Sequence, residues 1–136
     1  MDDLLRLSTR AHKLLRAASD EAMSEHGVRV GQNLLLEVLW QEDGLTPGEL
    51  ANRLALTTPT VVNTATRMEA AGLVTRRRDP SDARLVRLYL TERGRRAEAP
   101  IREARRRLEE RATATLTDDE RRHLRSALEK IIAELS

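Results

Sequence analysis

Cysteine is absent from the 136 residues. That excludes a disulfide framework, a thiolate metal site, a cysteine nucleophile and thiol-based redox sensing. Aromatic residues are nearly absent as well: Trp40 and Tyr89 are the whole complement, with no phenylalanine. Any core must then be aliphatic, and a surface that stacks unpaired bases on aromatic rings is disfavoured. No apolar run approaches the ~20 residues of a membrane span. The start, Met1-Asp2-Asp3-Leu4, is acidic, with no basic stretch leading into an apolar one. No secretory signal is therefore expected, and a cytoplasmic location is the default. His12, His26 and His123 are scattered, and no nucleophile–base pair, glycine-rich phosphate loop or metal-ligand spacing stands out. An enzyme is not the expectation, and no catalytic residue, metal ligand or cofactor is assigned.

What remains is enough to fold. Hydrophobic residues make up 40% of the chain and charged residues 34%, a balance that supports a core and argues against wholesale disorder. The length suits one domain, or one small domain with helical extensions. The formal net charge is only +2, but its placement is uneven. Residues 73–107 hold 12 arginines against 5 acids, a local net of +7, between stretches of net −3 and −2. Such a block in a near-neutral chain marks a surface for an anionic partner. Only Lys13 and Lys130 are lysine. The planar fork of arginine suits bidentate contacts to phosphates and base edges.

Leu4, Leu7, Ala11, Leu14, Leu15, Ala18 and Ala22 recur at spacings of three and four, predicting an amphipathic helix over about 3–25 with His26 and Gly27 at its end. A helix over about 31–42 should turn Leu34, Leu35, Val38 and Leu39 inward. Thr46-Pro47-Gly48-Glu49 reads as a helix start: Thr46 caps, Pro47 takes the first position and Glu49 closes a capping box. Thr58-Pro59 repeats the cap-then-proline signal, and the next helix is expected from Pro59 to Ala71, stopped by Gly72. Two short helices joined by a few residues are a helix-turn-helix arrangement. The second should bury Val61, Ala65 and Met68 and turn Pro59, Thr60, Asn63, Thr66, Arg67 and Ala70 outward.

After Gly72 the hydrophobic period changes to two. Leu73–Arg77 and Leu85–Leu90 read as strands, the second with Val86, Leu88 and Leu90 inward and Arg87 and Tyr89 outward. Asp79-Pro80 between them has turn chemistry. A β-hairpin with an arginine-rich tip behind a helix-turn-helix describes a winged helix. Thr91 should cap a long helix through about residue 115, kinked by Pro100. Thr117-Asp118-Asp119-Glu120 is another capping box, and Leu124, Leu128, Ile131, Ile132 and Leu135 form the stripe of a last helix. The expected fold class is mostly α with a small β-hairpin wing, α+β. It places a winged helix-turn-helix lobe at 31–91 between terminal dimerisation helices at 1–30 and 92–136. The stripes on those helices exceed what a small winged helix can cover, which favours a two-fold homodimer.

In this order the motifs resemble those of MarR-family transcriptional regulators along essentially the whole chain. Leu45-Thr46-Pro47-Gly48-Glu49-Leu50-Ala51 resembles the family's third helix. Thr60-Val61-Val62-Asn63, with Arg67 through Val74, resembles its recognition helix and the beginning of its wing. Asp79-Pro80-Ser81-Asp82-Ala83-Arg84, followed by Leu88-Tyr89-Leu90-Thr91-Glu92-Arg93-Gly94, is the most specific part. The resemblance implies a homodimer whose recognition helices enter major grooves of double-stranded DNA at a palindromic operator, with wing tips at the adjacent minor groove or backbone. It also implies a repressor released by a small aromatic or anionic effector, held between the lobe and the terminal helices by residues that the sequence leaves unknown.

The matching DNA-binding residues are Pro59, Thr60, Asn63, Thr64 and Arg67 on the helix and Arg84 in the wing, with Asp82 orienting Arg84 through a charge-assisted hydrogen bond. Arg76, Arg77 and Arg78 join them, though strand alternation should leave about two of the three for phosphate. Family members often carry Arg where this chain has Asn63 and Asp where it has Thr66, so no site preference carries over. Asn63 has the donor and acceptor to read an adenine. For Arg93, Arg95 and Arg96, contact with DNA and a solvated face stay open. Glu98/Arg102 and Glu103/Arg107, four apart, favour a solvated face for the remaining arginines. Trp40 reads as packing rather than ligand stacking. The alternative function is a winged-helix interaction module that sets its basic wing on an acidic protein partner. Salt dependence and sequence preference of DNA binding separate the two.

Overall fold

The computed structural model describes residues 3–136. Their order is α1 (Leu4–Ser24), α2 (Gln32–Gln41), α3 (Pro47–Leu54), α4 (Thr58–Ala70), β1 (Val74–Arg78), β2 (Val86–Leu90), α5 (Glu92–Arg96), α6 (Glu98–Ala112) and α7 (Asp118–Leu135). The fold is mostly helical, with one antiparallel hairpin as its wing.

Side-chain caps set most of the helix starts. Asp3 accepts the Arg6 N–H, and the hydroxyls of Thr46, Thr57, Thr91 and Thr117 each accept an N–H three residues on. The capping box of α7 is complete, because the Thr117 N–H in turn donates to the Glu120 carboxylate. That of α3 is half made: Glu49 takes the Thr46 hydroxyl at 3.1 Å and also faces Arg87. The cap of α4 is Thr57, one residue before the expected Thr58. Pro59 then sits at the second helical position, where its missing N–H would have found no partner in the helix anyway. At the other end Gly72, at φ 77°, turns the chain out of α4, and Leu73 N–H closes on the Met68 carbonyl at 2.9 Å.

The core is aliphatic, as the shortage of aromatics requires. Leu35, Leu36 and Leu39 of α2, Leu50 of α3, Val61 and Met68 of α4, and Leu88 of β2 are all sealed from solvent. Each such side chain contributes ~1.5–3 kcal/mol relative to exposure. Met23 of α1 and Ile101 of α6 enter the same cluster, so the lobe is packed onto the roots of the long helices. Trp40 packs half-buried against this cluster and donates its indole N–H to the Gly94 carbonyl at 2.9 Å. Gly94 is required by close approach: a Cβ there would stand 2.2 Å from the Leu73 carbonyl oxygen.

Four further expectations change. On α2 the inward residue is Leu36, while Leu34 is exposed. Gln32 and Asn33 are buried instead, because their side-chain oxygens cap the N–H groups of Arg29 and Gly31 in the preceding loop. Val86 is exposed rather than inward, since it pairs with Arg78 at the far end of the hairpin, beyond the reach of the core. Arg87 and Tyr89 are half-buried rather than free on the outer face. The long helix expected from Thr91 is two helices meeting at Ala97, the second ending at Ala112. Pro100 offers no N–H to the Arg96 carbonyl, and its ring crowds that group.

Burial stops at the molecule's extremes. Met23 is the only buried residue of α1, and α7 has none. Leu4, Leu14, Leu128, Ile131 and Ile132 lie on amphipathic faces that this chain leaves uncovered.

Candidate nucleic-acid interface

Helix α4 is built to present one face. Val61, Ala65 and Met68 anchor it, which leaves Pro59, Thr60, Asn63, Thr66, Arg67 and Ala70 exposed on the other side, as the spacing predicts. Several hydroxyls on it are already committed. Thr64 and Thr66 donate to the carbonyls of Thr60 and Val62, and the Thr60 hydroxyl meets that of Thr57 at 2.8 Å. Among the described residues the Asn63 amide makes no such bond and is free for an outside partner. Thr64 is half-buried at the edge of this face, above a small hollow shared with Arg67 and Arg29. Arg29 is itself clamped by Asp20, whose carboxyl lies below its ordinary range because it accepts the Val30 N–H and the Arg29 fork.

The wing arginines separate into distinct roles. Arg76 does not point away from the lobe. Its guanidinium reaches back to α4, donating to the Val62 carbonyl at 3.1 Å and the Thr66 hydroxyl at 2.7 Å. Arg77 stands over the Tyr89 ring, 5.1 Å from its centre. Arg78 is exposed at the far end of β1. Arg84 lies in the connecting loop with its side chain 89% exposed, yet Asp82 grips it: Nε to Oδ1 at 3.0 Å and Nη2 to Oδ2 at 3.1 Å. The expected orienting pair is thus present. The Arg84 fork holds the Asp82 carboxyl below its ordinary range, so the pair stays ionised at neutral pH. The structure brings Arg76 onto α4 and Asp82 onto Arg84. Among the described residues no hydrogen bond joins Arg77, Arg78 or Arg84 to α4.

Arg87 and Asp79 are the residues that sequence reasoning missed. Strand alternation places Arg87 outward, but outward on β2 at this point means toward α3. Arg87 Nε donates to Asp79 Oδ2 at 2.6 Å, and Nη1 donates to the Gly44 carbonyl at 3.0 Å. This bond to Arg87, then the N–H groups of Ser81 and Asp82, hold the Asp79 carboxyl below its ordinary range. A signal was available: the register sets Arg77 directly opposite Arg87, and two like charges across a ladder need separate outlets.

The rest of the basic block is largely paired. Arg102 meets Glu98, Arg105 meets Glu37 and Arg107 meets Glu103. Arg106, then Arg107, pull the Glu103 carboxyl down to about 2. Near the wing, Arg95 approaches Asp43 and Arg96 pairs with Glu92. His12, His26 and His123 are exposed and apart. Among the described residues no group of acids and histidines gathers to hold a metal ion, and no helix is long and apolar enough to cross a membrane.

The comparisons with known proteins fit this geometry. The sequence model of the MarR family matches residues 30–86, from just before α2 to the first residue of β2. The HTH-type transcriptional regulator TtmR of Methylorubrum extorquens (strain PA1) is 41% identical over 73 residues, which are 54% of this chain but only 37% of that protein. The HTH-type transcriptional repressor Rv2887 of Mycobacterium tuberculosis (strain ATCC 25618 / H37Rv) is 37% identical over 127 residues, 90% of this chain and 88% of the repressor. The crystal structure of Rv2887 in complex with DNA superposes with a TM-score of 0.74 at 27% identity, covering 96% of this chain and 98% of that one. The S. aureus MepR–DNA complex superposes more closely, with a TM-score of 0.87, at 23% identity over 98% of this chain and 99% of the other. With a lobe, a wing and long terminal helices in one order, and a relative aligned over nearly its full length, the chain belongs to the MarR family.

Proposed function

We propose that this chain is a dimeric, sequence-specific DNA-binding transcriptional regulator, a repressor relieved by a small ligand. One observation carries the reading: α4 exposes a face of small polar residues around a free Asn63 amide, flanked by an arginine already oriented at the wing tip. Such a face enters a major groove without obstruction, while Arg84 reaches the neighbouring minor groove or backbone. Pro59, Thr60, Asn63, Thr64 and Arg67 form the reading face. Arg78 and Arg77 supply phosphate contacts, whereas Arg76 braces α4. The lobe at 31–91 does the reading, and the uncovered faces of α1 and α7 meet those of a second copy, which suits a palindromic operator. Kinship with regulators named as repressors supports the direction of control. The groove between α1 and α6, of about 430 Å³, has the size of a small-molecule site; Glu21, Glu25 and Glu103 line it together with Arg107 and Arg111.

The test is fluorescence-anisotropy titration against DNA from upstream of the chain's own gene, with a scrambled duplex beside it, at several salt concentrations. Affinity more than ~10³-fold above scrambled DNA, with half-site centres ~10 bp apart, is the expected outcome. Equal, salt-sensitive binding to both duplexes would move the assignment to distant targets or to an acidic protein partner.

A further inference from the structure

Among the wing arginines Arg87 is enclosed rather than presented: its side chain is 27% exposed, and that of its partner Asp79 13%. A path of short bonds runs through this pair. It starts at the turn before α3, where the Gly44 carbonyl and Glu49 receive Arg87 Nη1. It crosses from Arg87 Nε to Asp79 Oδ2 at 2.6 Å. Asp79 Oδ1 then accepts the N–H of Ser81 at 2.7 Å and of Asp82 at 2.9 Å, which folds the wing loop. Asp82 in turn grips Arg84 through both carboxylate oxygens.

We infer that Arg87 is a positioning residue for DNA binding: it ties the wing loop to the start of α3 and so holds Arg84 where it meets DNA. The inference rests on the DNA-binding reading above. Arg87 Nε and Nη1 are committed to Asp79, the Gly44 carbonyl and Glu49, and most of the side chain is enclosed. Its planar fork spans a carboxylate and a carbonyl at once, a geometry that a lysine ammonium does not reproduce. Arg77, directly opposite, is released from repulsion because Arg87 is turned onto acids while Arg77 lies over Tyr89.

A double-mutant cycle on the full chain tests this. Wild-type protein first selects its duplex from a random-sequence library, and affinities for that duplex are read by anisotropy. Arg87→Met keeps the aliphatic stem and removes the fork. Asp79→Asn keeps the oxygen that accepts the loop N–H groups and removes the charge facing Arg87. Each should weaken binding about tenfold alone, but less than about twofold when Arg84 is already Ala, because both losses pass through Arg84. Arg87→Lys should restore little. Equal losses in both backgrounds, or none, would overturn the inference. Should Arg87→Met fail to fold, Asp79→Asn carries the same test. A second readout needs no DNA: limited tryptic cleavage after Arg84 should be faster in the free Asp79→Asn protein than in wild type. An unchanged rate would overturn the strut by itself. Failure of the wild type to select any duplex, with faster cleavage still seen, would instead count against DNA binding.

Discussion

The lobe and the terminal helices are made of the same residue types at the same spacing, yet they end in opposite states. Leu35 and Leu50 in the lobe are 0% exposed, whereas Leu128 of α7 is 51% exposed and Ile132 63%. The hydrophobic period is equally clear in both. What differs is whether this chain supplies the opposing surface. In the lobe, α2, α3, α4 and the hairpin face one another across a few short connections. On α1 and α7 the apolar stripe looks outward; each helix starts at a side-chain cap, and near its start α7 pairs Arg122 with Asp119 and Arg125 with Glu109. Periodicity therefore identifies a face to be buried; it does not identify what buries it.

The largest effect should come from breaking the terminal side of this contrast. Leu128→Arg combined with Ile132→Arg removes nothing that the single chain buries, so the lobe's own packing has no reason to change. The pair should nevertheless convert the proposed dimer into a monomer in sedimentation equilibrium. Affinity for the selected duplex should fall by at least about a hundredfold, because two half-sites can no longer be held together. A variant that still sediments as a dimer would show that the seam lies elsewhere.

Changes inside the lobe should act on stability instead. Met68 is sealed between α4 and the rest of the cluster, and Met68→Ala should cost ~2–5 kcal/mol in urea unfolding through the cavity it leaves. Gly94→Ala should cost ~1–3 kcal/mol, since the new methyl meets the Leu73 carbonyl and α5 must shift away from it. If Gly94→Ala proves neutral, the approach of α5 to the end of α4 is looser than the geometry indicates. Both results, set beside the α7 pair, separate a surface that holds one chain together from one that waits for a second.

How much of this was legible in the sequence follows the same division. The buried and exposed faces of α4, the caps at Thr46, Thr91 and Thr117, the stop at Gly72 and the Asp82–Arg84 pair all rest on local rules, spanning four residues or fewer, and all are present. The misreadings have two sources. Leu34 is exposed while Gln32 and Asn33 are buried, capping N–H groups three and two residues before them, a local choice that hydrophobic period does not weigh. Arg87 is drawn toward the turn before α3, where its partner, the Gly44 carbonyl, lies 43 residues away in the chain. Arg76 reaches the Val62 carbonyl of α4, a partner that strand alternation does not name. Strand alternation gives the side of a sheet; it says nothing of which helix stands there.

The smallest effect concerns acid, and it compares the wing with the solvated surface of α6. Asp79 is held below its ordinary value of 3.8, first by the Arg87 hydrogen bond. A carboxyl depressed in the folded protein favours folding while it is ionised, so its stabilisation is complete above the ordinary value and is lost as pH falls through the folded one. Glu103 of α6 obeys the same sign, with a window running from 4.5 down to about 2. Urea midpoints should be flat between pH 6 and 8 and decline below about pH 4. Asp79→Asn should begin lower and decline less, converging with wild type at the acid end. Glu103→Gln should flatten part of the same acid limb while leaving the Ser81 and Asp82 amide resonances, followed by NMR, on their wild-type titration. Those resonances should shift as Asp79 is protonated, because its carboxylate holds both N–H groups. Resonances that stay fixed while the midpoint falls would assign the acid sensitivity to the surface pairs of α6 and leave the wing strut without a charged component.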